Sequence, residues 1–227
     1  MHKKEMQKMK YKSKDEAIKD HVDNYRSDGV KKRKGMPDQR DFFRFQFFIQ
    51  SVPEHSHVLD VGCNSGTIGR FLIAQNNCHV LGIDVVPELV KKAKRNGTFA
   101  IVGEAENINM PDNHIDVVTC GEVLEHLYDP EIAIKEAHRV LKPNGIYLVT
   151  VPHPDIANVN KLGDYHQQDF KYNQLYELFT KYFIKDNVHF WNISWSKSYC
   201  EEISKTKEEA NILLKTPQWL GIHAKKD

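Results

Sequence analysis

The chain has 227 residues, of which 40% are apolar and 28% charged, with 32 Lys and Arg against 31 Asp and Glu. This length is enough for one α/β domain with a core of its own, so folding requires neither disulfides nor a structural metal. No apolar run reaches the roughly 18 residues of a membrane span, and the charged first residues lack the apolar segment of a secretory signal. Because the four cysteines form no paired motif, we expect a cytoplasmic protein with reduced thiols.

The charges are unevenly distributed along the chain. Residues 1–40 contain 13 Lys and Arg but only 7 Asp and Glu, whereas the remainder is acidic. Such a basic segment could attract nucleic acid, an anionic membrane or a phosphorylated substrate, and it is equally typical of a solvated terminus. We therefore expect a basic, partly flexible N-terminal extension over 1–40 and a single domain over 41–227.

The first element predicted in that domain is a helix over 41–52, where Phe42, Phe45, Phe48 and Ile49 recur at helical spacing. From residue 57 onwards, short β-branched runs alternate with helical patterns. The predicted strands are 57–61, 79–84, 99–102, 115–120 and 146–151, and the predicted helices are 65–75, 87–95 and 129–141. Strict alternation of this kind indicates a doubly wound, mostly parallel sheet whose strands are buried on both faces.

The last third of the chain departs from this alternation. A helix is predicted where Leu175, Leu178, Phe179 and Tyr182 share one face, and strands are predicted at 188–195 and 219–224. The polar stretch 197–215 between these strands is predicted to contain a helix. The two late strands would form a C-terminal antiparallel hairpin and complete a seven-stranded, Rossmann-like sheet.

The segment VLDVGCNSGTIG (58–69) combines a buried strand, an acidic residue, a glycine-rich turn and a helix start. Glycines allow the backbone to approach a ligand closely, and the exposed N–H groups of a helix start favour an anionic group. Asp84 ends the second strand, where a carboxylate can accept hydrogen bonds from both ribose hydroxyls. A dinucleotide dehydrogenase is disfavoured, because its second glycine is replaced by Asn64 and no second substrate domain follows.

Four segments together resemble the class I S-adenosylmethionine-dependent methyltransferases. They are VLDVGCNSGTIG, GID at 82–84, VGEAENINMPDNHIDVVTCGEVLEHL at 102–127 and RVLKPNGIYLVTVPHP at 139–154. Their order and spacing match across about residues 55–154, which would be the cofactor-binding core. The resemblance implies a methyltransferase fold, a methyltransferase activity and S-adenosylmethionine as cofactor. The late strands suit the terminal hairpin of that fold.

The resemblance also implies a role for each matching position. Asp60, Gly62 and Cys63 would line the methionine end together with Asn64 and Gly66, mainly through the backbone. Asp84 would hold the ribose hydroxyls with Val85 beside the adenine, Glu104 and Ala105 would contact the adenine edge, and Cys120 would present backbone to the methionine moiety. Asn64 stands where the family commonly has glycine, and asparagine tolerates the left-handed backbone that this turn needs.

The segment CGEVLEHL (120–127) follows the fourth strand and resembles the metal-binding segment of ubiquinone-biosynthesis O-methyltransferases and of small-RNA 2′-O-methyltransferases. On a helical turn, Glu122, Glu125 and His126 would share one face and could bind Mg²⁺ or Mn²⁺, with His166 as a further ligand. A polar helix start without metal is the alternative. In that case His126, or His153 after the fifth strand, could act as the general base.

These features predict an enzyme that O-methylates a hydroxyl of a small molecule or a glycan. The acceptor-side loops would be 152–168 and 197–215. RNA 2′-O-methylation is an alternative supported by the basic terminus, although the acidic balance of 41–227 disfavours a broad phosphate-binding surface. A non-catalytic binding protein that keeps the methyltransferase fold is another. The sequence does not predict the oligomeric state.

Overall fold

The computed structural model describes residues 11–26, 39–153, 170–193, 200–203 and 219–227. Its helices are α1 (Lys14–Asn24), α2 (Gln39–Ser51), α3 (Thr67–Asn76), α4 (Pro87–Arg95), α5 (Pro130–Val140) and α6 (Tyr172–Phe179). Its strands are β1 (His57–Val61), β2 (His79–Asp84), β3 (Phe99–Val102), β4 (Ile115–Gly121), β5 (Leu141–Pro152), β6 (Val188–Ile193), β7 (Cys200–Ile203) and β8 (Trp219–Lys225). Loops 152–168 and 197–215 lie largely outside these residues, as does most of the extension 1–40.

The strands form one sheet in the order β3-β2-β1-β4-β5-β8-β6-β7. Strands β1 to β5 pair in parallel, whereas β8 is antiparallel to both β5 and β6. This arrangement confirms the predicted doubly wound sheet with its antiparallel C-terminal hairpin. The predicted seven strands are present, and β7 adds an eighth.

Strand β7 was not predicted, and one prediction about an individual strand is wrong. Strand β7 lies within 197–215, the polar stretch predicted to contain a helix, and it pairs with β6; the rest of that stretch lies outside the described residues, so the predicted helix stays a prediction. Strand β3 was expected to be buried on both faces, but it is the opposite edge of the sheet. Phe99 and Val102 are 66% and 58% exposed there, and only Ala100 is buried, in a cluster with Val90 and Ala93 of α4.

The core lies on both faces of the sheet because strand side chains alternate between them. On one face, Phe47 and Phe48 of α2 pack with Leu72 of α3 against Val58 and Val117. On the other face, α5 and α6 pack against β4, β5 and the late strands. Helix α2 therefore has the amphipathic character predicted for 41–52, whereas α6 ends at Phe179 and leaves Tyr182 beyond its last turn.

The ends of two helices follow simple backbone rules. Helix α5 begins at an N-cap, Asp129, whose side chain accepts hydrogen bonds from the backbone N–H groups of Glu131 and Ile132, and Pro130 occupies its first turn. Helix α1 begins in the same way at Ser13, whose hydroxyl accepts from the Glu16 N–H. Residues 14–24 of the N-terminal extension are thus helical.

Candidate active site

The carboxyl ends of β1, β2, β4 and β5 meet at one edge of the sheet. Strand β1 lies between β2 and β4, so the chain order reverses there. Ligands of open α/β sheets bind in the crevice at such a reversal. Every candidate site residue predicted before residue 154 lies near the end of one of these strands or of β3, or in the segment that follows it.

The turn after β1 requires left-handed backbone at three positions. Gly62 has φ +67°, Asn64 has φ 50° and Gly66 has φ 76°. A Cβ atom on Gly62 would lie 2.2 Å from Cγ2 of Val123, so β1 and the segment after β4 approach too closely for any side chain. Asn64 adopts the conformation expected of it, and its side-chain oxygen accepts from the Ser65 N–H at 2.7 Å. The turn is fixed by its own backbone before any ligand binds.

Asp84 connects this turn to the end of β2. Its Oδ2 accepts a hydrogen bond from the Asn64 N–H at 2.9 Å, and its Oδ1 accepts from the Val86 N–H at 2.9 Å. Burial raises the pKa of Asp84, and these two hydrogen bonds oppose that rise. Each carboxylate oxygen can accept a further hydrogen bond. Asp84 is therefore a pre-positioned acceptor for a pair of neighbouring hydroxyls.

Asp60, near the end of β1, is fully buried. Its Oδ1 accepts from the Thr119 hydroxyl at 2.8 Å, whereas Oδ2 has no hydrogen-bond partner among the described residues. Burial raises the pKa of Asp60 to about 7. A buried carboxylate oxygen without a donor is costly. A ligand that places a donor group beside the glycine turn could therefore pair with this oxygen.

The remaining predicted cofactor positions differ in burial. Cys63 and Cys120 are buried, and desolvation raises the pKa of both thiols, so they stay protonated. The Cys63 N–H donates to the Ile83 carbonyl at 2.9 Å. Val85 is partly buried and Ala105 is buried. Glu104 is half-exposed, and its Oε2 accepts from the Lys14 ammonium group at 2.7 Å.

The acidic segment after β4 is not the helical turn that was predicted. Only Leu124–His126 form a short 3-10 turn, and Glu122 lies before it with a left-handed φ of 58°. Glu122 and Glu125 therefore do not share a helix face with His126. Instead, Oε2 of Glu122 accepts from the indole N–H of Trp219 at 3.1 Å, and Oε1 lies 3.8 Å from the Arg44 guanidinium group.

Glu125 is 1% exposed, and neither of its carboxylate oxygens has a hydrogen-bond partner in the described parts of the chain. Its Oε1 lies 3.8 Å from Nε2 of His126. Burial raises the pKa of both Glu122 and Glu125, the two charges repel, and Arg44 partly compensates. Glu122 and Glu125 are therefore most stable when the pair keeps a proton, or when a hydrogen-bond donor or a cation binds to it.

The predicted metal site is not assembled by the described residues. Within ranges 11–26, 39–153, 170–193, 200–203 and 219–227, no three His, Cys, Asp or Glu side chains are placed to hold a metal ion. His166, the fourth predicted ligand, lies outside these ranges. His153 lies immediately after β5, as predicted, and is buried.

The structure adds residues to the site that sequence patterns did not assign. Arg44 of α2 lies 5.7 Å from the Trp219 ring of β8, and both contact Glu122. Lys14 and His21 reach the site from α1: Lys14 contacts Glu104, and the His21 ring lies 5.4 Å from that of His126. All four lie far along the chain from their partners and carry no local motif. Only the amphipathic pattern of α2 hinted at an inward-facing helix.

Residues 59–149 match the family model described as a methyltransferase domain. The matched range begins in β1 and ends in β5, and thus contains the glycine turn, Asp84 and the acidic segment. The matched segment is a methyltransferase domain, and it contains or adjoins the four segments that resemble the class I S-adenosylmethionine-dependent enzymes. The match confirms the family resemblance of the four sequence segments.

Known relatives agree with this assignment. The chain is 32% identical over 135 residues to a ubiquinone biosynthesis O-methyltransferase of Xanthomonas oryzae, covering 51% of this chain and 56% of that protein. It is 36% identical over 107 residues to the 2-methyl-6-phytyl-1,4-hydroquinone methyltransferase of Synechocystis, covering 44% of this chain and 33% of that protein. The chain thus spans only about half the length of the first relative and about one third of the length of the second.

The fold extends well beyond the matched core. A methyltransferase solved in complex with the Trm112 methyltransferase activator of Haloferax volcanii superposes with a TM-score of 0.70 at 20% identity, covering 90% of this chain and 96% of that one. At this identity the likeness concerns the fold alone. No helix in the described part of the methyltransferase chain combines the length and apolar character of a membrane span.

Proposed function

We propose that this protein transfers the methyl group of S-adenosylmethionine to a hydroxyl of a small molecule or glycan that carries adjacent oxygens. The cofactor supplies an electrophilic methyl group on its sulfonium; O-methylation releases the hydroxyl proton and leaves S-adenosylhomocysteine. The protein must therefore hold the cofactor, orient the acceptor and take up one proton.

The cofactor would be held by the residues that the family resemblance assigned. Asp84 offers two oriented oxygens to the ribose hydroxyls, with Val85 beside the adenine and Glu104 and Ala105 at its edge. The turn formed by Gly62, Cys63, Asn64 and Gly66 gives backbone to the methionine end, with Cys120. The orphaned Oδ2 of Asp60 supports this fit, because the methionine end carries an ammonium group that can donate to a buried carboxylate.

The observation that carries the proposal is the state of Glu125, whose two buried oxygens lack hydrogen-bond partners directly after β4. An acceptor with two neighbouring hydroxyls could donate to this carboxylate, which would orient one oxygen and remove the cost of the unpaired group. A planar hydrophobic acceptor without hydrogen-bond donors would leave the buried Glu125 carboxylate unpaired. The printed names of the two relatives, which refer to ubiquinone and to a hydroquinone, agree with an oxygen-bearing acceptor.

The proton would pass to an imidazole. His126 lies beside Glu125, with 3.8 Å between Nε2 and Oε1, so a proton gained by His126 would be stabilised by that carboxylate. His153 is the second candidate base. We assign no step to Mg²⁺ or Mn²⁺, since the described residues place two carboxylates near Arg44 without a third ligand.

RNA 2′-O-methylation is less well supported. Lys14 and Arg26, two cations of the basic N-terminal stretch, are engaged in ion pairs with Glu104 and Glu88 and are not directed to a phosphate backbone. Residues 1–10 and 27–38, which contain most of the other cations, lie outside the described ranges.

The test is transfer of labelled methyl from S-adenosylmethionine to four acceptors: a catechol acid, the matching monophenol, a monosaccharide and a short single-stranded RNA. Each reaction is run with EDTA and with added Mg²⁺. We expect label in the catechol or the sugar, little in the monophenol, and a loss of at least tenfold in His126→Gln. Label confined to RNA would replace the proposal by the RNA alternative, and cofactor binding without transfer to any hydroxyl would contradict it. Dependence on Mg²⁺ would restore the predicted metal site.

A further inference from the structure

Helix α1 contacts the site at two separated points. At its first residue, Lys14 pairs with Glu104 after β3, with 2.7 Å between Nζ and Oε2. Just beyond its last turn, Arg26 pairs with Glu88 in the first turn of α4, with 3.1 Å between the guanidinium nitrogen and Oε1. Both partners follow strands at the carboxyl edge of the sheet. Helix α1 is thereby held at the carboxyl edge of the sheet, across the ends of β2 and β3.

His21 lies between these two ion pairs along α1, and its ring contacts His126 in the segment after β4. Its ring is 5.4 Å from the ring of His126, at an interplanar angle of 53°. Burial lowers the pKa of His21, the neighbouring His126 lowers it further, and the negative charge of Asp84 acts in the opposite direction. His21 therefore lies beside the candidate base and favours the neutral form, which can contact an imidazole without repulsion.

We infer that His21 is a positioning residue of the transfer site, which α1 holds over the cofactor crevice so that its ring fixes the orientation of the His126 imidazole. This inference rests on the proposed function, because His126 is the base in that proposal. It gives the basic N-terminal stretch a role within the site itself.

The two ion pairs that hold α1 in place are weak enough to allow the helix to move away from the site. Both pairs are partly solvent-exposed, and pairs of this kind are individually weak. An isolated helix of 11 residues is marginal in water, so α1 depends on these contacts to stay in place. A cover with weak contacts can release S-adenosylhomocysteine after each turnover and close again over fresh cofactor.

The first experiment measures the dissociation rate of S-adenosylhomocysteine by stopped-flow competition. Arg26→Glu places two like charges together, and we expect dissociation to accelerate about two- to fivefold, the range expected for one exposed pair. The double variant Arg26→Glu with Glu88→Arg rebuilds the pair with its charges exchanged and should return the rate to the wild-type value. An unchanged rate in the single variant, or no recovery in the double variant, would show that α1 does not cover the crevice.

The second experiment observes the histidine Cε1–H resonances by NMR, which requires no acceptor and no turnover. We expect S-adenosylhomocysteine to shift the His21 and His126 resonances together, and His21→Ala to shift His126 in the free protein. His21→Phe keeps an aromatic ring and should retain more of the wild-type kcat than His21→Ala. The control is His79→Ala: His79 stacks on His57 with 5.1 Å between centroids, at the opposite end of β1 and β2, and should leave His126 unchanged.

The results separate this inference from the proposed function. A His126 resonance that does not respond to His21→Ala would overturn the positioning role even if methyl transfer to a hydroxyl is observed. Conversely, the predicted shifts and rates together with no hydroxyl methylation would support α1 as the cover and reject the proposed acceptor. Absence of any S-adenosylhomocysteine binding would overturn both.

Discussion

The proposed cofactor side and the proposed acceptor side of the crevice differ in how their carboxylates are hydrogen-bonded. At the end of β2, both oxygens of Asp84 accept backbone N–H groups at 2.9 Å. After β4, Glu125 is equally buried, yet neither of its oxygens has a partner among the described residues. Because unpaired buried carboxylates are costly, we expect Asp84 to be held in place by the protein's own backbone, whereas Glu125 would gain its hydrogen bonds from a ligand.

Asp60 is intermediate between these cases, with one oxygen bonded to Thr119 and one without a donor. The three carboxylates therefore range from Asp84, with both oxygens hydrogen-bonded, to Glu125, with neither oxygen hydrogen-bonded. This difference predicts that substitutions on the two sides have separable effects, on cofactor affinity in one case and on transfer in the other.

The largest effect is expected at the turn that builds the cofactor side. Gly62→Ala adds a Cβ that would lie 2.2 Å from Val123 and also forces an L-residue to φ +67°. Overpacking and left-handed backbone together should lower the free energy of unfolding by about 2–5 kcal/mol. Urea denaturation measures this. The matched control is Gly97→Ala, which has φ +90° but no atom within 4 Å, and should lose only the backbone part.

The next effect concerns Asp84, the carboxylate proposed to bind the ribose. Asp84→Asn removes the charge and turns one acceptor into a donor facing a backbone N–H, so S-adenosylhomocysteine should bind about 10- to 100-fold more weakly, the size of one or two charged hydrogen bonds. Isothermal titration calorimetry gives the affinity. Asp116→Asn is the control, since Asp116 also accepts a backbone N–H but lies at the start of β4, and its replacement should leave the affinity within twofold of wild type.

On the acceptor side, Glu125→Gln should reduce the rate of methyl transfer roughly tenfold, the value of one hydrogen bond lost from the bound acceptor. Cofactor affinity should stay within twofold of wild type. Glu136→Gln, on α5 and paired with Arg139, is the control for removing a partly buried carboxylate away from the crevice. Equal losses of transfer in both variants would show that Glu125 acts through stability alone.

The smallest effect is a pH dependence of stability from Asp60. Burial raises its pKa to about 7 in the folded protein, above the ordinary value of about 3.9 in an unfolded chain. Between about pH 4 and pH 7 the folded state therefore binds more protons than the unfolded state, so the free energy of unfolding falls as pH rises. Its contribution is at most about 1.4 kcal/mol per pH unit. Asp60→Asn should flatten this slope in urea denaturation; an unchanged slope would show that Asp60 titrates normally.

The cofactor side could be predicted from sequence because its determinants are local. The β1 strand, the glycine turn, Asn64 and the carboxylate ending β2 follow one another with fixed spacing, and sheet topology alone brings them together. The same reasoning predicted that the central strands are parallel. Their assigned contacts with the cofactor remain predictions.

The acceptor side could not be predicted in the same way. The left-handed backbone of Glu122 interrupts the helical turn assumed for Glu122, Glu125 and His126, and the residues that meet it, Arg44 and Trp219, come from opposite ends of the chain. Strand β7 shows the same limit, since its pairing with β6 is a long-range contact that the polar sequence around it did not indicate. Long-range contacts set these features, and periodicity does not encode them.

The most direct test of the division between the two sides is a single-turnover measurement of methyl transfer to a catechol acid at saturating S-adenosylmethionine. Our account predicts that Asp84→Asn, once saturated, transfers at close to the wild-type rate, whereas Glu125→Gln remains roughly tenfold slower at any cofactor concentration. A loss in Asp84→Asn that persists at saturation, or a Glu125→Gln rate that recovers with added cofactor, would contradict the separation of cofactor binding from acceptor orientation.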